Sequence, residues 1–438
     1  MELDWHAAAP DPEVFAGPSG QRLTLWHRRP PEETGGLGVR LERATDDVDL
    51  AAVRRYRLER VRAEMRRRDI AACLLFDPVN IRYATGARNM QVFTSRNPAR
   101  YLVVTADGPV VLHEFTGAEH LGEGLETIDE VRAAVTASFV AAGPGIVERE
   151  RGWAATTAAT LRELVGAGVT VGVERINAGA AMALAEHGFR LVDAQEPVEM
   201  ARCIKSDEEL ACIRASLRAT EAGVAELRAA LRPGITENEL WAVLHHAVIA
   251  RDADYVETRL LTSGPRTNPW FQESSPRVIQ PNELVALDTD VVGCHGYYAD
   301  FSRTFHAGPA APTPLQREVY RAAWEQVHHN IGILRPGMTF REYAEEAWEI
   351  PQRFFEHRYY LSAHGVGMTG EYPYLYHRAD FPDAGYDGVI EPGMTLCVES
   401  FIGEQGGAEG VKLEEQVLIT ETGVELLSDF PFEDALLA

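Results

Sequence analysis

Between Leu284 and Phe305 the chain reads LVALDTDVVGCHGYYADFSRTF, and three carboxylates in this stretch carry the first chemical signal. Asp288 and Asp290 stand two residues apart at the end of an apolar run. Period-two geometry sends both to one face of a strand. Gly293 and Gly296 bracket the turn that follows, and Asp300 comes on the return strand. Three carboxylates converging from a hairpin cannot all stay ionised without a counter-charge. A divalent cation supplies one, because carboxylate oxygens suit hard and borderline metals.

Further donors follow. In Tyr359–Gly367 (YYLSAHGVG), His364 stands between an apolar segment and a glycine-rich turn, where backbone can approach closely. The run Pro392-Gly-Met-Thr-Leu-Cys-Val-Glu399 is a strand whose hydrophobic pattern ends in a carboxylate, and Gly410–Ile419 is another strand, interrupted by Glu414 and Glu415. A buried acid on a central strand is unfavourable unless it is paired or metal-bound. Several on successive strands, with one imidazole, suit a two-metal site for Mn, Fe, Co or Zn.

The elements that must position these groups fall into two halves. Residues 1–48, rich in Pro, Gly and charge, read as an extended arm. An amphipathic helix is expected over Asp49–Arg68, a strand over Ala71–Phe76, a loop over Asp77–Gly86, and a hairpin over Tyr101–Thr105 and Val110–Phe115. Alternating helices and strands continue to about residue 195, as in an α/β domain. Arg88–Arg100, which carries Phe93, is a polar segment that could close over a site. The second half opens with Ser206 and Glu209 as a capping box before a long helix to about Ala230. Then LRPGIT (231–236) leads into a second box, Thr236 with Glu239. A hundred residues on, LRPGMT (334–339) leads into a third, Thr339 with Glu342. A helix, LRPG(I/M)T and helix occurring twice point to duplication. Two α+β halves would then share one sheet, with the site at their junction.

Composition narrows the function. The formal charge is −24, from 66 acidic against 42 basic residues, the opposite of a nucleic-acid footprint. The N-terminus lacks a basic stretch followed by an apolar one, so no secretory signal is expected. No apolar run approaches the roughly 20 residues that span a bilayer. Five scattered cysteines without a Cys-x-x-Cys pair fit a reducing cytoplasm.

The duplicated half, the LD-x…GYxxD-x-(S/T)-R-T pattern, the HGxG turn, the PGM…E strand and the (V)(K/R)-x-E(E/D) strand together resemble the creatinase/prolidase/methionine aminopeptidase superfamily. The resemblance covers about residues 50–430. It implies an α+β fold: a pita-bread catalytic domain with an internal pseudo-two-fold repeat over 201–438, preceded by a smaller α/β creatinase-type N-terminal domain over 49–200. It further implies two divalent metal ions held by Asp288, Asp290, Asp300, His364, Glu399 and Glu414, a small-molecule substrate and a homodimer. A non-catalytic binding module of this fold would be expected to have lost some of these ligands.

Departures from the peptidase pattern refine the expectation. Asp290 stands where peptidases carry glycine, and the interval from Asp288 to Asp300 is one residue longer than usual. Where peptidases place a histidine before this strand, the stretch Ser263–Glu273 offers Trp270 or Phe271. After HGxG, where they place a second histidine, Met368–Pro373 offers Gly370 or Glu371. Xaa-Pro hydrolysis thus loses its usual proton carriers. The Asp-Thr-Asp strand and the RTNPWFQE, RNMQVF and AGYDGVIEPGM runs look most like DddP-type lyases, which split dimethylsulfoniopropionate into acrylate and dimethyl sulfide. That resemblance implies aromatic contacts to a sulfonium, for which Phe93, Trp270, Phe271 and Tyr359 are the candidates. It also implies an aspartate base near the position of Gly370. Glycine cannot take a proton, so Glu371 is the expected replacement, with His377, Asp380 and Tyr359 as further candidates.

Overall fold

The computed structural model describes residues 48–438. The arm expected over 1–48 therefore lies outside the described residues, apart from Val48. The first element, α1 (Leu50–Arg67), starts where the Asp49 side chain accepts a hydrogen bond from the Ala52 amide at 2.9 Å. It buries Val53, Leu58, Val61 and Met65. Six strands follow: β1 (Ala72–Leu75), β2 (Tyr101–Thr105), β3 (Val110–Glu114), β4 (Glu130–Ala133), β5 (Thr170–Val173) and β6 (Arg190–Asp193). They form one mixed sheet in the order β4-β3-β2-β1-β5-β6, with β2 antiparallel to both β1 and β3 as the expected hairpin requires. Helix α4 (Ile146–Val165) contributes Trp153 to the core on one face, against Phe76 and Tyr101.

One local expectation was wrong. Asp77–Gly86 is not a loop but holds α2 (Pro78–Thr85). Asp77 caps it through the Val79 amide at 2.8 Å, Pro78 opens it, and Gly86 closes it at φ 83°. These are ordinary start and stop signals. The helix is short and buried on nearly every side, so it shows no polar face to betray its period. The 88–100 segment likewise carries a short helix, α3 (Gln91–Arg96).

The second half begins with α7 (Asp207–Ala230) and α8 (Glu237–Ile249), preceded by α5 (Ala178–Ala185) and α6 (Gln195–Arg202). Helices α9 (Pro314–Ile333) and α10 (Phe340–Glu346) repeat the α7–α8 device. The boxes at Ser206, Thr236 and Thr339 all form, each with both reciprocal bonds. The repeat reaches beyond the caps. Gly234 donates to the Ile279 carbonyl at 2.9 Å, and Gly337 donates to Ile390 at 2.8 Å. Thr236 and Thr339 each form an isolated bridge to the segment that returns toward the sheet, at Val278 and Val389.

The strands of this half do not form the single sheet expected from duplication. They fall into three ladders: β11-β10-β7, β12-β9-β8 and β14-β13-β15-β16-β17. The strands are β7 (Tyr255–Val256), β8 (Leu261–Ser263), β9 (Glu283–Asp288), β10 (Val291–Val292), β11 (Tyr298–Ala299), β12 (Ser302–Ala307), β13 (Ala363–Val366), β14 (Gly370–Leu375), β15 (Thr395–Gly403), β16 (Gly410–Ile419) and β17 (Val424–Leu426). Where β12 meets β16, side chains replace the main-chain ladder. The Thr304 hydroxyl donates to the Lys412 carbonyl at 2.9 Å and accepts from the Lys412 amide at 3.1 Å. Among the described residues, no helix is long and apolar enough to cross a membrane.

The first sheet carries its own acid sensitivity. His113 on β3 is buried and stacked on Tyr101, with ring centroids 4.4 Å apart, and burial with Arg132 nearby pushes it down to about 4. The unfolded chain, with an ordinary histidine near 6.5, binds the proton first. Stability from this group is therefore complete above about pH 6.5 and is lost as pH falls toward 4, at ~1.4 kcal/mol per pH unit. His113→Phe keeps the stacking and removes the titration. The drop in thermal midpoint between pH 7 and pH 4.5 should be smaller in this variant than in the wild type, and equal drops would refute the assignment.

Candidate metal centre

Strand β9 delivers Asp288 from the core outward, paired with Ser302 on β12. The strand stops there. Asp290 adopts φ 42°, outside the extended region, so strict alternation does not carry it. The left-handed kink nevertheless returns its carboxylate to the same place: Asp288, Asp290 and Asp300 each offer an oxygen within 4.8 Å of the others. Gly293 and Gly296 form the expected turn, closed by the Gly296 amide on the Gly293 carbonyl at 2.9 Å. A Cβ at residue 293 would strike the Ser216 side chain on α7, which accounts for the glycine.

From the other sheet, His364 on β13 points Nε2 at the acids, 3.8 Å from Asp300, 3.7 Å from Glu399 and 3.6 Å from Glu414. Its Nδ1 lies 2.9 Å from the Gly365 carbonyl, which can only accept, so Nδ1 carries the proton. Nε2 is therefore the nitrogen that faces the cluster, the orientation of a metal-ligating imidazole. Glu399 on β15 and Glu414 on β16 are direct cross-strand partners. Cys397 lies beside the cluster with its thiol toward the Asp300 carbonyl at 3.6 Å.

The residues fit a cation on two counts. Buried oxygens Asp300 Oδ1, Glu399 Oε1 and Glu414 Oε1 have no hydrogen-bond partner. Burial, together with the other carboxylates, pushes Asp290 and Asp300 well above the usual carboxylate range; burial also raises Glu399, to about 7, against the pull of Lys412. Glu414, despite burial, is held below that range by the Lys412 ammonium and His364. Acids so disposed call for positive charge between them. Lys412, which sequence reasoning did not single out, supplies part of it. Its Nζ is 2.8 Å from Glu399 Oε2, 2.9 Å from Glu414 Oε2, 3.0 Å from Ser302 Oγ and 3.4 Å from Asp288 Oδ2. Lysine thus takes the outer oxygen of both glutamates and leaves the inner oxygen of each beside His364. A signal existed: Lys412 and Glu414 stand two apart on a wholly buried strand.

The cluster opens into a cavity of about 410 Å³, and this cavity sorts the remaining candidates. Tyr359 and Phe271 line it, joined by Tyr360 and Tyr374, which sequence reasoning missed, and by Glu257 and Glu273. Trp270 does not line it; it is buried against Phe401, with ring centroids 6.0 Å apart. Phe93 is half-exposed on α3 and also outside the lining. Glu371 is not brought to the cluster. Strand alternation on β14 turns Gly370 toward His364 and Glu371 the other way, into a buried ion pair with Arg202, at 2.6 Å, and Lys205. His377 is buried outside the cavity, with Nε2 donating to the Tyr359 carbonyl at 2.9 Å. Asp380 pairs with Arg358 at 2.5 Å. These three are structural supports in this arrangement.

Fold and donor set define an enzyme of the pita-bread metalloenzyme class. Residues 211–421 match the model for metallopeptidase family M24, and residues 57–204 match the creatinase/prolidase N-terminal domain. Dimethylsulfoniopropionate lyase DddP of Roseovarius nubinhibens is 37% identical over 394 residues, covering 89% of this chain and 88% of that protein. The DddP of Roseobacter denitrificans is 36% identical, covering 90% and 89%. An Xaa-Pro dipeptidase structure from Bacillus anthracis superposes with a TM-score of 0.68 at 22% identity, covering 86% of this chain and 98% of that one, which speaks to the fold alone. The chain belongs to metallopeptidase family M24, in the branch that holds the DddP lyases.

Two outcomes follow from the geometry. His364→Ala and Asp300→Ala should each purify with substantially less bound transition metal than the wild type, measured by elemental analysis; unchanged metal content would refute the ligand set. Glu371→Gln should destabilise the fold by about 3–5 kcal/mol, because it strands Arg202 and Lys205 in a buried site. A variant of wild-type stability that has lost turnover would instead make Glu371 catalytic.

Proposed function

We propose that this protein is a metal-dependent lyase acting on a small carboxylate that bears an onium group, with dimethylsulfoniopropionate as the substrate to test. One observation carries the reading: an aromatic box shares the cavity with the acid cluster. Phe271 and Tyr359 have ring centroids 5.1 Å apart, Tyr359 and Tyr360 4.9 Å, and Tyr360 and Tyr374 6.3 Å. Ring faces grouped in this way receive a sulfonium or quaternary ammonium by cation–π attraction. Phe271 sits at φ 72°, a conformation uncommon for a bulky residue and characteristic of side chains held at functional sites.

The ligands in this reading are Asp288, Asp290, Asp300, His364, Glu399 and Glu414, for two divalent ions drawn from Fe, Mn, Zn or Co. Metal bound there would polarise the substrate carboxylate and make the adjacent C–H more acidic. The chain's own groups do the rest. The box orients the onium group and keeps water from it. Tyr359, kept protonated by burial with Glu399 and Asp288 nearby, donates a hydrogen bond rather than taking a proton. Glu257 and Glu273 are lining carboxylates outside the ligand set, and Glu257, which accepts from the Tyr298 hydroxyl, is the one fixed in place. Glu257 takes the proton from the carbon next to the carboxylate, the new C=C forms, and the C–S bond breaks with its electrons leaving on sulfur. A homodimer in the cytoplasm completes the proposal.

Hydrolysis of an Xaa-Pro or similar small amide is the second reading, favoured by the bare backbone at Gly370, where DddP-type lyases are expected to place their base. The metal-loaded protein should release acrylate from dimethylsulfoniopropionate and no proline from Xaa-Pro dipeptides; proline without acrylate would decide for the hydrolase. An added Cβ at residue 370 meets only the His364 ring, at 3.8 Å, so an aspartate fits there. Gly370→Asp should raise acrylate release on the order of 100-fold, the usual contribution of a positioned base, while Glu257→Gln should lower it by a similar factor in the wild-type background. If neither variant changes the rate, the proton-transfer assignment fails.

A further inference from the structure

Gly370 borders more than the metal centre. It also lines a cavity of about 710 Å³, walled by Tyr372, Tyr374 and Tyr386 with Asp193 and Glu199, and another of about 660 Å³ toward the first sheet. Tyr374 is common to the first of these and to the metal-centre cavity. Glu257 and Tyr298 are common to the second and to the metal-centre cavity. Asp193 and Glu199 line both side cavities. The three spaces therefore meet at a residue with no side chain.

The chemistry of the larger side cavity is one-sided. Among the described residues, its lining includes no lysine, arginine or histidine, only acids, tyrosines, Met200 and Gln195 besides the glycine. Glu371 there is neutralised by Arg202 and Lys205, Glu196 pairs with Arg68 at 2.9 Å, Glu199 lies 3.5 Å from Arg202, and Asp387 lies 4.0 Å from Arg341. Asp193 accepts a hydrogen bond from the Gln195 amide at 2.7 Å and, among the described residues, is the lining acid without an ion pair. Tyr372 and Tyr386 stack with ring centroids 5.9 Å apart, and the Tyr374 amide donates to the Tyr386 hydroxyl at 2.7 Å, which fixes that wall to β14. A carboxylate without a counter-ion beside tyrosine faces attracts an organic cation and offers nothing to a second anion.

We propose that Gly370 is a specificity-determining residue: its missing side chain joins the metal centre to an acid- and tyrosine-lined chamber that receives the cationic end of an extended carboxylate substrate. The carboxylate lies at the cluster and the cation several carbons away, in the chamber. A side chain at residue 370 would close that passage and confine the enzyme to short substrates that fit the aromatic box alone. The inference rests on the onium-carboxylate reading of the site for the polarity of the substrate, and not on the reaction performed.

Binding separates the two. Non-reactive trimethylammonio carboxylates of increasing length (acetate, butanoate, hexanoate and octanoate) are titrated calorimetrically into the metal-loaded wild type, Gly370→Leu and Asp193→Asn. In the wild type the hexanoate and octanoate should bind on the order of 10-fold more tightly than the acetate. Gly370→Leu should erase that preference, bringing the ratio of long-chain to acetate affinity to about one, whatever the leucine does to the acetate itself. Its fold is expected to hold, since the nearest neighbours of a new Cβ are at 3.8 Å, and an unchanged thermal midpoint serves as the control. Asp193→Asn keeps the acceptor for Gln195 and should weaken only the long members. Equal affinities along the series in the wild type, or the same preference in Gly370→Leu, would overturn the proposal. A preserved length effect in a protein that makes no acrylate would overturn the lyase reading alone.

Discussion

Crowded negative charge is the constraint on which the rest of this structure depends. Asp288, Asp290, Asp300, Glu399 and Glu414 converge where water is largely excluded, and desolvation with mutual repulsion disfavours the ionised forms of all but Glu414. One lysine answers part of that charge. Lys412 takes the outer oxygens of Glu399 and Glu414 and reaches Asp288, so that what is left is a set of inner oxygens beside Nε2 of His364. A cation site is thereby shaped by the protein's own ammonium group. It also explains why the donors lie on paired strands or within two residues of a strand end: a flexible loop could not hold like charges this close.

The neighbouring strand shows how backbone alternation assigns roles. Gly370 and Glu371 differ by one position on β14 and so face opposite ways. The glycine borders the cluster and leaves space there. The glutamate ties β14 to Arg202 and Lys205, and Arg202 continues to Asn80 on α2 at 3.0 Å. Asn80 in turn donates to Glu174 at 2.8 Å. The strand that shapes the active-site mouth is thus anchored, through buried charge, to the first sheet. Its geometry is set by a network far from the reacting atoms, which is how a site gains precision without more ligands.

Aromatic side chains divide along the same lines. Trp270 and Phe271 are adjacent, yet one packs into the core on Phe401 and the other leans over the cavity toward Tyr359. Only the second kind can meet a substrate. With Tyr360 and Tyr374 they make one side of the cavity aromatic, facing the acid cluster, with Arg259 also in the lining; the aromatic side suits a cationic group, and the acid cluster would receive a carboxylate through bound metal. Relatives of the same family run different reactions on one scaffold, so specificity belongs to this wall rather than to the fold.

Much of this was legible in the linear sequence. Capping boxes, strand hairpins, the duplicated LRPG(I/M)T device and the acids of the centre all announce themselves through neighbours a few residues apart, where local geometry is decisive. Even there, α2 escaped notice because a helix buried all round has no polar stripe. Tertiary structure alone decided which of two adjacent residues faces the centre, at Trp270 and Phe271 and again at Gly370 and Glu371. It alone brought Lys412 among the acids, withdrew His377 into a main-chain contact, and made Tyr360 and Tyr374 parts of one wall. Each of these depends on how separate segments fold against one another or on the handedness of a kink, and neither is written in residue type or spacing.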